Sequence, residues 1–127
     1  MPNYVNSILC KDLYAEFLRI RKENEKEGRY LTRVEICEII SRLPAPRFYI
    51  TPATAICSAI RPLGKGRNLQ SHGRRAQMHR ELYRRYVELR KEYNKETALE
   101  IAIHQPAPSF YLSTRSICNL LYDAVRR

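Results

Sequence analysis

The chain contains no tryptophan and only four glycines in 127 residues, and none of its four cysteines belongs to a C-x-x-C pair. Each shortage excludes a class of chemistry. Gly64-Lys65-Gly66 is too short to cradle a phosphate chain, and no G-x-x-x-x-G-K-[ST] occurs. Without C-x-x-C or H-E-x-x-H there is no familiar metal-ligand spacing, since His72 and His79 stand away from any cysteine and His104 follows an apolar run alone. No serine sits in a G-x-S-x-G setting. The carboxylates fall on charged helix faces beside lysine or arginine, where modest i,i+4 pairing is their expected role. The sequence therefore predicts no catalytic residue, no bound metal and no cofactor: a non-enzymatic protein.

Long apolar runs are missing too. None approaches the ~18 residues a membrane span requires. The opening Met1-Pro2-Asn3-Tyr4-Val5-Asn6-Ser7 lacks the basic and apolar regions of a secretory signal. Cys10, Cys37, Cys57 and Cys118 are widely spaced among apolar residues, as small core side chains would be. The expectation is a cytoplasmic protein with no membrane contact.

What the chain has is positive charge, in one place. The net charge is +10. Residues 1–60 hold nine Lys/Arg against seven Asp/Glu, residues 61–91 ten against two, and residues 92–127 four against four. The middle stretch thus carries +8, and such a concentration attracts polyanions more strongly than the same charge dispersed.

The sequence also repeats. Leu13-Tyr14, Phe17 and Ile20-Arg21-Lys22-Glu23 match Leu82-Tyr83, Tyr86 and Leu89-Arg90-Lys91-Glu92 at an offset of 69. Pro44-Ala45-Pro46-Arg47-Phe48-Tyr49-Ile50-Thr51 matches Pro106-Ala107-Pro108-Ser109-Phe110-Tyr111-Leu112-Ser113, and Ile56-Cys57 matches Ile117-Cys118. Each copy reads as three helices. The first carries Leu9, Leu13, Phe17 and Ile20, or Met78, Leu82, Tyr86, Leu89 and Tyr93, on one face. Gly28 is its natural stop in the first copy. The second helix is expected to begin at a T-x-x-E capping box, Thr32 to Glu35 and Thr97 to Glu100. That placement makes the second copy about one turn shorter here. Cys37, Ile39, Ile40 and Leu43 form the buried side in the first copy. Pro-Ala-Pro ends the second helix. Phe48-Tyr49-Ile50 and Phe110-Tyr111-Leu112 are short extended runs able to pair or pin the turn. Thr51 before Pro52, and Ser113, cap the third helix, which ends near Pro62 in the first copy.

The expected fold is all-α: a tandem duplication of a three-helix, helix-turn-helix-like unit, with repeats at 1–63 and 78–127 and a basic linker at 64–77. A unit this small buries too little surface alone, so one pseudo-symmetric domain is favoured. Because about seven residues separate the second and third helices, any helix-turn-helix is a variant with a long aromatic turn.

Two sets of candidate contacts follow. Lys65, Arg67, Arg74, Arg75, Arg80, Arg84 and Arg85 are placed to grip phosphates, releasing counterions without choosing sequence. Thr54, Ser58 and Arg61, with Arg115, Asn119 and Arg126, lie on outward faces of the third helices and are candidates for meeting base edges. Phe48, Tyr49, Phe110 and Tyr111 read first as a structural clamp and second as a stacking platform.

The paired P-A-P-x-F-Y segments, together with Met78-His79-Arg80-Glu81-Leu82-Tyr83-Arg84-Arg85, resemble a group of small uncharacterised tandem-repeat proteins of Bacteroidales and their mobile elements and phages. The likeness spans about Lys11 to Arg127. The group has no established activity, so no functional residue carries over. The resemblance implies a bacterial cell or a phage-infected one.

The expected function is binding of nucleic acid, double-stranded DNA ahead of RNA, in a regulatory or architectural role. RNA binding would show a preference for single strands through the aromatic pairs. The competing expectation is a protein-interaction or structural module, such as a component of a phage particle or a subunit of a larger complex. There the basic strip meets an acidic protein partner, and Tyr14, Tyr83 and Tyr122 pack against it.

Overall fold

The computed structural model describes residues 4–66 and 73–126, and the side chains of 5–66 and 73–122. It is all-helical. Its elements are α1 (Tyr4–Lys26), α2 (Arg33–Ser41), α3 (Pro52–Ala55), a π-helical turn (Ile56–Ile60), α4 (Arg61–Gly64), α5 (Arg74–Leu89), α6 (Lys95–His104) and α7 (Thr114–Arg126). No strand occurs among the described residues; Ala45 and Ala107 form an isolated antiparallel bridge. No described helix is long and apolar enough to cross a membrane.

Local chemistry explains the boundaries. Gly28 adopts φ +78°, and the Gly28 and Arg29 amides donate to the Glu25 and Asn24 carbonyls, closing α1 with a paired C-terminal motif that glycine accommodates without strain. Thr32 caps α2 in a full capping box with Glu35. Thr51 accepts from the Thr54 amide at the start of α3, where Pro52 sets the first helical position. Ser113 does the same for the Ser116 amide ahead of α7.

Several sequence expectations need correction. The cap of α6 is Asn94, whose side chain accepts from the Thr97 amide at 2.8 Å. Thr97 therefore lies inside the helix, and Thr97-to-Glu100 is no capping box. With Asn94 as the cap, α6 is no shorter than α2; the length difference lies between α1, with 23 residues, and α5, with 16. Tyr93 lies past the end of α5 and is exposed. Helix three of the first half runs through Pro62 to Gly64 by way of the π turn. Within the segment 64–77, Gly64 belongs to α4 and Arg74 to Gln77 belong to α5. On α2 the deeply buried side chains are Ile36, Cys37 and Ile40, while Ile39 and Leu43 are half-buried. Cys57 is exposed, against the expectation of a core thiol.

The chain forms two compact units. The first comprises Met1–Pro44 and Leu112–Arg127, the second Ala45–Tyr111. In the first, α1, α2 and α7 pack on one another. Leu9, Leu13, Ile20, Ile36, Ile40, Ile117 and Leu121 are buried there. Cys37 is fully buried on α2, and burial first, then a hydrogen bond with Cys118 of α7, pushes its thiol up to about 12. In the second, α5 and α6 pack together and against the helical stretch at 52–64. Met78, Leu82, Leu99, Ile103, Ala55 and Ala59 are buried there. Each unit thus takes its first two helices from one half of the sequence and its closing helix from the other.

The proline-bracketed turns meet inside the second unit. Ala45 and Ala107 exchange backbone hydrogen bonds, and the Phe48 amide donates to the Ile103 carbonyl at 2.9 Å. Phe48 stacks with Tyr111 at 6.3 Å and Tyr49 with Phe110 at 5.8 Å between ring centroids. Tyr111 has φ +56°, a left-handed conformation unusual for a side chain this large. Its amide is held by the Ser109 hydroxyl at 2.8 Å. Phe48 and Phe110 are almost wholly buried. These aromatic side chains form a clamp, and the two phenylalanines offer no open face to a base.

Candidate nucleic-acid interface

The second unit carries most of the charge. Residues 45–111 hold twelve Lys/Arg and five Asp/Glu, a net +7 of the +10 total. Much of this lies on α5, whose buried side is Ala76, Met78, His79 and Leu82. The helical period therefore turns Arg74, Gln77, Arg80 and Arg84 outward, and all four are exposed.

The start of α5 is electrostatically awkward. Its N-cap is Gly73, which offers no side chain to the free amides, and its first turn holds no acidic residue. Arg74 and Arg75 instead place two positive charges at the positive end of the helix dipole. Each such placement costs roughly 0.3–1 kcal/mol at an exposed site. Neither arginine has a carboxylate partner among the described residues. The long helix α1 is different: Arg19 bridges Glu16 at 2.7 Å and Glu23 at 3.1 Å, so that cation is already compensated.

The basic residues of α5 are not equivalent. Arg84 is exposed and pairs with Glu81 at 2.6 Å. Arg85 points inward. It bonds Glu81 at 3.0 Å, donates to the Pro106 carbonyl and lies over the Phe48 ring at 5.1 Å. Hydrogen bonds from Arg84 and then Arg85 hold the Glu81 carboxyl below its usual range. Arg85 is thus a structural strut between α5 and the aromatic clamp, its guanidinium engaged in contacts within the fold. His79, one turn beyond Arg75, is buried, and its Nε2 has no hydrogen-bond partner among the described residues. Burial first, then the nearby Arg75 charge, lowers its pKa from 6.5.

Lys65 follows α4 and is exposed in the same unit, while Arg67 and His72 lie outside the described residues. The expected base-facing residues divide between the units. Thr54, Ser58 and Arg61 belong to the second, Arg115 and Asn119 to the first, and the Arg126 side chain lies outside the described residues. Arg115 and Asn119 are exposed on α7. Thr54 is exposed, but its hydroxyl accepts from that of Thr51 at 2.9 Å as part of the α3 cap. Ser58 is half-buried within the π turn. Arg61 is exposed and lines a cavity that no sequence feature announced, together with Ile56, Ile60, Tyr86, Lys95 and Glu96 among others. Of the tyrosines assigned to a partner surface, Tyr14 and Tyr122 are exposed, while Tyr83 is half-buried and tilted against Tyr86.

No protein-family model, curated protein or solved structure matches the chain.

Proposed function

We propose that the chain is a non-enzymatic nucleic-acid-binding protein that grips double-stranded DNA through its second unit, in a regulatory or architectural role. The observation that carries this reading is the start of α5. Two arginines sit at a positive helix end whose N-cap, Gly73, offers no side chain, with no carboxylate partner among the described residues, and Arg80 and Arg84 continue the charge outward. A phosphate there meets first-turn amides, the helix dipole and guanidinium groups together. The burial of Phe48 and Phe110 favours duplex phosphate contact over stacking on single strands.

The test is a fluorescence-anisotropy titration of labelled duplex DNA, single-stranded DNA and RNA across salt concentrations. If Lys65, Arg74, Arg75 and Arg80 each neutralise one phosphate, log affinity falls with log salt at a slope of about −3.6. The Arg74→Ala/Arg75→Ala variant should shift that slope toward zero by about 1.8. Absence of binding at low salt discards the reading.

The first unit supports a second one. Tyr30 is 80% exposed and Val34 55% exposed at the start of α2. Apolar surface of this kind suits a protein partner, and the basic helix would then meet an acidic protein. Pull-down with and without nuclease separates the two: a partner retained after nuclease treatment favours the protein-interaction module.

A further inference from the structure

The cavity of about 560 Å³ in the second unit is bounded by the 52–64 stretch, α5 and the first turns of α6. Its size falls within the roughly 300–1,000 Å³ typical of small-ligand sites. Its lining separates by chemistry. Ile56, Ile60, Tyr86 and Leu99 supply an apolar wall, and Arg61, Lys95, Glu96 and Glu100 supply charge. Ile56 and Ile60 are the first and last residues of the π turn, whereas α7, capped in the same way, runs as α-helix throughout. Helices take on such a turn at a local cost, and it recurs at functional sites.

The charged lining limits what can fill the space. Arg61 and Lys95 have no carboxylate partner among the described residues. Lys95 is the first residue of α6, beside helix amides that the Asn94 cap does not reach. These groups call for an anion. Glu96 and Glu100 can only accept hydrogen bonds when ionised; Glu100 already lies 3.5 Å from His104 Nδ1, so Glu96 above all calls for a donor on the same molecule. A fatty acid would satisfy the cations and leave two carboxylates facing its chain. A cationic amphiphile would do the reverse. A nucleotide meets all three demands with a flat heteroaromatic body, a phosphate, and hydroxyl or amino donors.

We propose that this cavity is a single-nucleotide site. The base lies against Ile56, Ile60, Tyr86 and Leu99, the phosphate is held by Arg61 and Lys95, and sugar or exocyclic donors go to Glu96 or Glu100. The occupant is a free nucleotide or one residue of a single strand. The site does not depend on the duplex-binding face of α5.

The experiment is isothermal titration of the full chain with adenosine 5′-monophosphate, adenosine and a single-stranded tetradeoxyadenylate. Saturable one-to-one binding is expected, with the monophosphate favoured over adenosine by about tenfold or more, the yield of charge-assisted bonds to phosphate. Arg61→Gln and Lys95→Gln should each reduce that preference while leaving adenosine binding in place. Ile56→Trp, at a side chain already 36% exposed, should fill the space and abolish binding with an unchanged circular-dichroism spectrum. Binding of the monophosphate without the tetranucleotide assigns a free nucleotide, and the reverse assigns a strand. Arg74→Ala/Arg75→Ala should keep nucleotide binding while losing duplex affinity, so either proposal can fail alone. No saturable binding of either phosphate-bearing probe, equal affinity for adenosine and its monophosphate, or wild-type binding by Ile56→Trp overturns the site.

Discussion

Ala45 and Ala107 donate to each other's carbonyls at 2.9 Å, and both side chains are 98% buried. Two residues 62 apart in sequence thus form a reciprocal pair in the same two turns that stack Phe48 with Tyr111 and Tyr49 with Phe110. Each is followed by a proline, which cannot donate to extend the bridge. The small methyl groups let the two backbones approach. Ala45→Leu should therefore overpack this junction and cost about 1–3 kcal/mol. Urea denaturation followed by circular dichroism measures it, and a change below about 0.5 kcal/mol would show that the junction is loosely packed.

The exchange of closing helices has a consequence for the linker. Each compact unit contains helices from both sides of the segment between Gly66 and Gly73. Cutting the chain there leaves both units built from both fragments. A protease site inserted after Gly66 should, once cleaved, yield fragments that co-elute in gel filtration and part only in denaturant. Separation in native buffer would mean that the helices of each unit associate weakly without the covalent link.

The sequence disclosed the parts of the fold that local chemistry determines. Leu13 and Leu82 occupy matching places on amphipathic helices and are both wholly buried. Gly28, Thr32, Thr51 and Ser113 end or start helices as their side chains dictate. The capping box at Thr97 misled because Asn94, three residues earlier, offers an equally good acceptor, and tertiary packing placed the helix start there. The π turn leaves no mark in Ile56-Cys57-Ser58-Ala59-Ile60 that separates it from an α-helix. Nor could a repeat reveal which copy each third helix closes, since both halves offer similar apolar faces. On the basic strip, spacing alone could not distinguish Arg84 from Arg85. Adjacent positions on α5 point in different directions, and only the location of Phe48 and Pro106 decides which arginine is occupied.

His79 sets an acid limit on stability. Its pKa in the folded chain is lowered from 6.5, by burial first and then by Arg75. The unfolded chain therefore takes up a proton that the folded chain resists. The contribution is fully present above pH 6.5 and is lost as pH falls through the folded-state value. Glu81, lowered from 4.5, acts with the same sign in a more acidic window. Denaturation midpoints should decline as pH drops from about 7 to about 5. His79→Leu should flatten that decline, because leucine fills the site without a titrating nitrogen or the orphaned Nε2. An unchanged pH profile in this variant would assign the effect elsewhere.

Arg84 and Arg85 provide the sharpest separation of fold from function. Both reach Glu81, yet the Arg84 side chain is 68% exposed and the Arg85 side chain 20%. Arg85 also satisfies the Pro106 carbonyl and covers the Phe48 ring. Removing it strands a carbonyl and half of a carboxylate pair beside a buried aromatic. Arg85→Ala should cost about 1–3 kcal/mol of stability and leave the salt slope of DNA binding unchanged where the protein remains folded. Arg84→Ala should leave stability nearly unchanged, because its ion pair is solvent-exposed. It should weaken duplex affinity, because its guanidinium stands outward beside Arg80 on α5. The loss should be smaller than for Arg74→Ala, since Arg84 must share or release Glu81 to meet a phosphate, whereas Arg74 has no carboxylate partner among the described residues. Urea melts and anisotropy titrations on the three variants give both quantities. A salt slope reduced by Arg85→Ala but not by Arg74→Ala would reverse the assignment and move the phosphate contact from the start of α5 to the aromatic clamp.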